Sequence, residues 1–295
     1  MMCAATALAY RPTYAKVEPE WRRLHRIADG LAPDLRQSFL RAMTTLRERL
    51  DPARLMDLLR AGDSGQLGAF WQAFESELAQ EVRGPIREAF LQAATRTQPA
   101  FAGLRFDLTN PQAVQYIDAQ AARLIRGATA ETQAAIRRVI HQGFTQGLDV
   151  PTMARRICQS VGLTDRYAVA VENFRQGQLR AGVAPGMVER RAEAYTQRLI
   201  RHRAVTISRT ETIAAANAGQ QAVWREARAT GLLSTEARQV WIITPDDRLC
   251  EICEAIPDDN PEVAVGGMFR PADGLVSGPP AHPGCRCAVG LEFPE

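Results

Sequence analysis

The last fifth of the chain gathers residue types that bind metal ions into one short stretch. Cys250 and Cys253 form a Cys-x-x-Cys pair, and His282, Cys285 and Cys287 follow in the motif Pro-Pro-x-His-Pro-x-Cys-Arg-Cys. Two close-set groups of ligands separated by a loop can converge on one tetrahedral ion, as in structural zinc sites. The spacing therefore predicts that this tail folds around a zinc ion.

The composition of the same tail supports this prediction. Its only strand-like segment is the apolar, β-branched run from Val240 to Thr244, and seven prolines follow it between Pro245 and Pro283. Such a stretch buries little apolar surface and needs an additional stabilising link, such as a bound metal ion. Structural zinc contributes on the order of 10 kcal/mol to the folding of a small module. Composition and ligand count thus agree.

Five candidate ligands exceed the four that zinc normally takes. Cys250, Cys253 and Cys285 are predicted as three of them. The fourth is Cys287 or His282, and Cys287 is favoured slightly because thiolates close structural sites tightly. Three other interpretations stay open: a Cys250–Cys253 redox pair, a set of disulfides, and cysteines without a special role. Zinc is preferred because a redox pair is typical of a βαβ context, and because disulfides are disfavoured in the reducing cytoplasm expected here.

The chain before this tail is predicted to be helical. Runs rich in Ala, Leu, Arg, Gln and Glu alternate with breakers from about residue 20 to residue 231. Asn110 and Thr129 are expected to begin two of the helices as N-caps. The predicted fold class is mainly α, a multi-helix N-terminal region followed by a small, loop-rich α+β module held by zinc.

The clearest break in the helical region spans residues 181–186, which suggests a domain boundary. A helical region, either a bundle or an extended array, is assigned to residues 1–185. The C-terminal module is assigned to residues 186–295, with a helix over 187–230 and the metal-binding tail over 238–295.

Glu211 is the one acidic residue of the later helix that the sequence singles out. It shares a stripe of small or apolar residues with Ile207, Ala214 and Ala218. A carboxylate facing the core requires a charged or hydrogen-bonding partner, and Arg248 beside the Cys-x-x-Cys pair is a candidate. A structural ion pair that locks the helix to the metal loop is favoured over a general base, since no nucleophile accompanies Glu211.

Arginine supplies 35 of the 36 basic residues, yet the net charge is only +3. That charge does not by itself indicate nucleic-acid binding. Arg198, Arg201, Arg203 and Arg209, with Arg190 and Arg191 upstream, form a cluster that can contact DNA phosphates, although a solvated helix face explains it equally well. No apolar run reaches the roughly 18 to 20 residues that a membrane helix needs, so no membrane contact is expected.

Together these segments resemble a known family. Their order is similar to that in phage head morphogenesis proteins like phage Mu protein F. The matching motifs are Ser-Arg-Thr-Glu-Thr from Ser208, then Asn217 and Gly219, then Trp-x-x-Thr-x-Asp-Asp-Arg-x-Cys-x-x-Cys from Trp241, and then the Pro-Pro-x-His motif from Pro279. The resemblance covers about residues 190–290, and its paired Cys motifs are its most specific part.

This resemblance implies a non-enzymatic minor head (capsid) protein of the virion. Such a protein resides in the phage head, and in the host cytoplasm during assembly. It would associate with portal and capsid proteins, with double-stranded DNA as a further candidate partner, in head morphogenesis and DNA packaging or delivery. Two alternatives are kept: a zinc-dependent nuclease or hydrolase that uses His282 and Glu211, and a DNA-binding packaging factor.

Overall fold

The computed structural model describes residues 11–61, 64–107, 110–244, 249–272 and 274–293. Long helices dominate it, which confirms the predicted fold class. The helices are α1 (Arg11–Arg49), α2 (Pro52–Ala61), α3 (Ser64–Thr97), α4 (Pro111–Thr145), α5 (Val150–Ser160), α6 (Asp165–Arg180), α7 (Pro185–Ala229) and α8 (Glu251–Asp259). The strands are β1 (Arg238–Ile242), β2 (Val263–Ala264) and β3 (Ala288–Glu292). None of the described helices has the length and apolarity that a membrane crossing requires.

Most helix ends follow from local chemistry. The Asn110 carboxamide oxygen accepts a hydrogen bond from the N–H of Gln112 at the start of α4, as expected of a cap. The prediction for Thr129 is wrong, because α4 continues unbroken through it. The Thr129 hydroxyl instead donates to the carboxylate of Glu75, at 2.7 Å. A tertiary contact therefore uses the side chain that the sequence suggested for capping.

Contacts divide the chain into two compact units that are discontinuous in sequence. The first takes residues 1–35, 84–117 and 206–295, and the second takes 36–83 and 118–205. The domain boundary predicted at residue 185 divides the chain in a different way, and it stays a prediction. Within the second unit, Arg156 and Arg175 form buried ion pairs with Glu172 and Glu189.

The first unit contains the small antiparallel sheet, in the order β2–β1–β3. Trp241 of β1 is opposite Val289 of β3 in the register. The apolar core beside the sheet joins α1, α3, α7, β1 and β3 through a cluster of buried side chains: Leu24, Ile27, Ala28, Ala93, Ile213, Ala216, Val240, Ile242 and Ala288. The β-branched run predicted as a strand is thus confirmed as the central strand.

Helices α3 and α7 approach closely in this unit at Gly219. A Cβ atom at Gly219 would lie 2.1 Å from the carbonyl oxygen of Phe90. Only a residue without a side chain fits between the two backbones. The glycine of the sequence motif therefore serves helix packing.

Candidate metal centre

Two short segments of the first unit present the predicted ligands. Cys250 precedes the first turn of α8, and Cys253 lies within that turn. His282, Cys285 and Cys287 lie on the segment that leads into β3. Because β3 pairs with β1, which the Cys-x-x-Cys loop follows, the sheet brings the two segments to the same end.

The five predicted ligands come together in two overlapping groups. The ligand atoms of Cys250, Cys253 and His282 lie within 4.8 Å of one another, and so do those of Cys253, Cys285 and Cys287. The Nε2 atom of His282 is 3.0 Å from the Cys250 sulfur and 3.2 Å from the Cys253 sulfur. Cys253 belongs to both groups, and its sulfur lies at the centre of the arrangement.

The distance between sulfurs suits a tetrahedral metal site. The sulfurs of Cys253 and Cys285 are 3.6 Å apart. Two thiolates bound to a tetrahedral zinc at about 2.3 Å would be separated by about 3.8 Å. The cysteines are all unpaired in the described structure, with no disulfide among them. The cluster could therefore hold a metal ion.

Hydrogen bonding within the cluster shifts the pKa values of its thiols in opposite directions. The thiols of Cys253 and Cys287 lower the pKa of Cys285, and the same contact with Cys285 raises the pKa of Cys253. Burial acts to raise the pKa of Cys250, but the backbone N–H of Cys253 and the imidazole of His282 outweigh it, so that this pKa is lowered. Cys250 and Cys285 are therefore the thiols most readily converted to thiolates, the form that binds metals.

The surroundings of His282 orient its ring toward the sulfurs. Its Nδ1 atom is 3.0 Å from the carbonyl oxygen of Pro283. A carbonyl only accepts, so Nδ1 carries the proton, and Nε2, beside the sulfurs of Cys250 and Cys253, is the nitrogen that would bind an ion. This is the arrangement found for histidine ligands of metals, where the second ring nitrogen is fixed by an outer partner.

A comparison of the chain with protein-family models decides its family. Residues 134–290, more than half of the chain, match the model for Phage Mu protein F like proteins. The chain belongs to this Mu F-like family. The match begins well before residue 190, where the recognisable motifs start, and so includes most of the second unit's later helices. Comparisons with curated proteins and with solved structures found no match.

Helix α7 of the Mu F-like protein contacts the metal loop, here the segment that carries His282 and Cys285, through the Ser-Arg-Thr-Glu-Thr motif. The Thr210 hydroxyl accepts a hydrogen bond from the N–H of Gly284, at 2.9 Å. Glu211 is half-buried on the same helix and makes contacts of its own. Its predicted partner Arg248 lies outside the described residues, so the Glu211–Arg248 ion pair stays a prediction.

The same helix also fixes the outer edge of β3. The Asn217 side-chain oxygen accepts from the N–H of Val289, and the Gln220 amide donates to the Val289 carbonyl, each at 2.8 Å. An edge strand otherwise exposes unpaired backbone groups. The asparagine of the motif therefore holds in place the strand that directly follows Cys287.

Helix α1 supplies two residues of the site that the sequence did not reveal. The Trp21 indole N–H donates to the carbonyl of Arg286 at 2.8 Å, and the His25 Nε2–H donates to the same oxygen at 2.7 Å. This carbonyl lies between Cys285 and Cys287. Trp21 and His25 are four residues apart, which places both rings on one face of α1. That spacing does not indicate a partner near the other end of the chain.

The arginines predicted to contact DNA differ in exposure. Arg198 and Arg201 are exposed on α7, and their DNA contact stays a prediction. Arg203 is only 5% exposed. Its guanidinium pairs with the carboxylate of Glu131 and donates to the carbonyl of Gly162. Because these partners occupy it inside the protein, Arg203 has to be removed from the predicted DNA contact.

Proposed function

We propose that this Mu F-like protein is a minor head protein, a structural component of the virion that associates with portal and capsid proteins. The observation that carries this proposal is the family match over residues 134–290. Membership implies a phage head morphogenesis protein. The role we assign within that process is assembly of the head and packaging or delivery of its DNA.

We further propose that the ion of the C-terminal module is zinc and that its role is structural. Thiolates and imidazole are the ligands that zinc prefers. We take Cys250, Cys253, His282 and Cys285 as the ligands: the first three form one group, and Cys253 links it to Cys285, whose sulfur is 3.6 Å from its own. Cys285 would have to move toward Cys250 and His282 when the ion binds, because it shares no group with them. Sequence reasoning had favoured Cys287 over His282.

Cys287 has another role in this proposal. Cys287 is almost completely buried, and its sulfur lies with those of Cys253 and Cys285 in the second group. It would then support the neighbouring thiolates without binding the ion. Protein side chains then occupy all four ligand positions, and a fifth donor lies behind them. The site therefore has the closed form of a structural centre, whereas a catalytic zinc keeps an open position.

Isolation of phage heads tests the assignment to the virion. We expect mass spectrometry of purified heads to detect the protein at low copy number. Chemical cross-linking of the same heads should join it to the portal protein. Heads that contain no copy of the chain, although it is expressed in the infected cell, would contradict the proposal.

The structural role of the ion is tested separately by a nuclease assay of the purified protein. We expect no metal-dependent cleavage of DNA or RNA. Cleavage that His282→Ala abolishes and Cys250→Ser leaves intact would show instead a hydrolase that uses the imidazole.

A further inference from the structure

A cleft of about 730 Å³ opens beside the metal centre in the first unit. Helix α1 forms one wall and α7 another, and the segment at Cys285 and Arg286 closes the end. The side chains that give the cleft its chemistry are Arg22, Arg26, Arg209, Arg286, Trp21 and His25. The contact with the Arg286 carbonyl accounts for the positions of Trp21 and His25, whereas the exposed Arg26 and Arg209 have no role in the metal cluster.

Positive charge exceeds negative charge in the lining of the cleft. Four guanidinium groups line it, together with the carboxylate of Asp29 and the sulfur of Cys285. Arg26 and Arg209 are exposed, and neither forms an ion pair with an acidic group in the part of the chain that the structure describes. A concave surface with several cations of this kind concentrates anions. Guanidinium forks match phosphate oxygens in particular.

A flat aromatic wall accompanies the arginines. The rings of Trp21 and His25 stack with centroids 4.0 Å apart and an interplanar angle of 26°. Both rings are held by the Arg286 carbonyl, so their orientation is fixed before any ligand binds. Arginines beside an ordered aromatic surface are the combination that proteins use to bind a nucleic-acid strand, through phosphates and stacked bases. An acidic peptide would use only the charge.

We propose that this cleft binds the phosphate backbone of DNA, with Arg26 and Arg209 as the principal contacts. The site shares Arg209 with the stretch that the sequence suggested, but it places the contact beside Arg26 of α1 and not along Arg198 and Arg201. This proposal goes beyond the proposed role in the head, because it names a ligand that the purified chain binds on its own. Absence from phage heads and failure to bind DNA are therefore separate results.

The test measures the affinity of the full-length, metal-loaded protein for fluorescein-labelled 20-nucleotide DNA, in single-stranded and duplex form, over a salt series. Phosphate contacts by Arg26 and Arg209 predict a slope of log K against log salt of about −2 for duplex DNA, or roughly a 10-fold loss of affinity between 50 and 200 mM salt. Arg26→Gln/Arg209→Gln should weaken binding at least about tenfold at low salt and reduce the slope by about 2.

Two further double variants control for net charge and for position. Arg87→Gln/Arg123→Gln removes two exposed arginines outside the cleft, and it should leave the affinity within about twofold of wild type. Arg198→Gln/Arg201→Gln should behave in the same way. A thermal melt of each variant verifies the fold, which should be retained because Arg26 and Arg209 have no acidic partner to lose among the described residues.

Four results would overturn the proposal. The first is no DNA binding by wild type at low salt, and the second is equal binding by Arg26→Gln/Arg209→Gln and wild type. The third is a loss that appears only in Arg198→Gln/Arg201→Gln. The fourth is displacement of DNA by polyglutamate at an equal concentration of charge, which would show a site for acidic protein segments instead.

Discussion

The hydroxyl of Thr210 on α7 accepts a hydrogen bond from the backbone N–H of Gly284, the residue before Cys285. This one contact joins the Ser-Arg-Thr-Glu-Thr motif to the metal loop. Thr210 also donates to the carbonyl of Thr206 on its own helix, at 2.8 Å, so its hydroxyl is oriented before it meets the loop. The two motifs of the family are therefore parts of one structural unit.

Replacement of Thr210 by valine should weaken metal binding. The N–H of Gly284 would lose its acceptor, and the loop that presents His282 and Cys285 would become less ordered. Loss of an outer-shell partner typically costs 10- to 100-fold in metal affinity, and we expect about tenfold here. Competition with a chromophoric chelator measures it. Thr210→Ser, which keeps the hydroxyl, should bind like wild type; equal affinities for Thr210→Val and wild type would show that the contact does not support the site.

Substitution of Gly219 tests the close approach of α3 and α7. Gly219→Ala would place a methyl group 2.1 Å from the Phe90 carbonyl oxygen, and a backbone atom cannot move aside as a side chain can. Overpacking of this kind costs about 1 to 3 kcal/mol. We expect the free energy of unfolding in urea to fall by about that amount.

A glycine elsewhere in the helices provides the control for this variant. Gly127 lies within α4, and an added Cβ there meets nothing within 4 Å. Gly127→Ala should raise the free energy of unfolding by up to about 1 kcal/mol, because alanine favours the helix. The two variants are thus expected to have opposite signs. A stabilising Gly219→Ala would contradict the packing described.

Sequence reasoning succeeded where the cause of a structure is local. The Asn110 cap, the strand at Val240 and the clustering of the five candidate ligands depend on chemistry within a few residues or on a recognisable spacing. Thr129 shows the limit of this reasoning. Its residue type suits a cap, but the carboxylate of Glu75 on another helix uses its hydroxyl.

The support of the metal loop could not be predicted because its partners are distant in the chain. Trp21 is 265 residues from Arg286, and no pattern around it differs from that of an ordinary amphipathic helix. The choice between His282 and Cys287 was also beyond the sequence. It depends on where each side chain points, which is known only once α8 and the segment before β3 are placed side by side.

The central position of Cys253 makes it the most sensitive of the predicted ligands. Its sulfur belongs to both groups of the cluster. Cys253→Ser should purify without bound zinc and with a lower melting temperature, whereas Cys158→Ser should retain about one zinc per chain because Cys158 lies outside the cluster. Metal analysis by mass spectrometry decides this. Wild-type protein without metal after purification under metal-free and chelator-free conditions, and no uptake on addition of zinc, would refute the site.

The same measurement identifies the fourth ligand. His282 lies 3.0 Å from Cys250 and 3.2 Å from Cys253, while Cys287 shares a group only with Cys253 and Cys285. We therefore expect His282→Ala to lose the ion and Cys287→Ser to keep about one zinc per chain with reduced affinity. The opposite result, with metal in His282→Ala and none in Cys287→Ser, would assign the fourth position to Cys287.

Glu20 on α1 should make the stability of the first unit depend on pH. Burial raises the pKa of its carboxyl group from 4.5 to about 7, although Arg23 and the backbone at Leu291 act in the opposite direction. Between these two values the folded protein keeps a proton that the unfolded chain has lost. Stability from this group is therefore fully present below pH 4.5 and decreases as the pH rises to about 7, by up to about 3 kcal/mol in total.

A glutamine at this position has the shape of the protonated carboxyl group and does not titrate. The free energy of unfolding of Glu20→Gln, relative to wild type, should therefore increase by up to about 3 kcal/mol from pH 4.5 to pH 7.5. Urea titrations at a series of pH values measure this difference, in which the other titrating groups cancel. The exposed Glu262→Gln serves as the matched control and should show no such trend. A constant difference for Glu20→Gln across this range would show that the carboxyl group is already ionised in the folded protein, with Arg23 and the Leu291 backbone outweighing its burial.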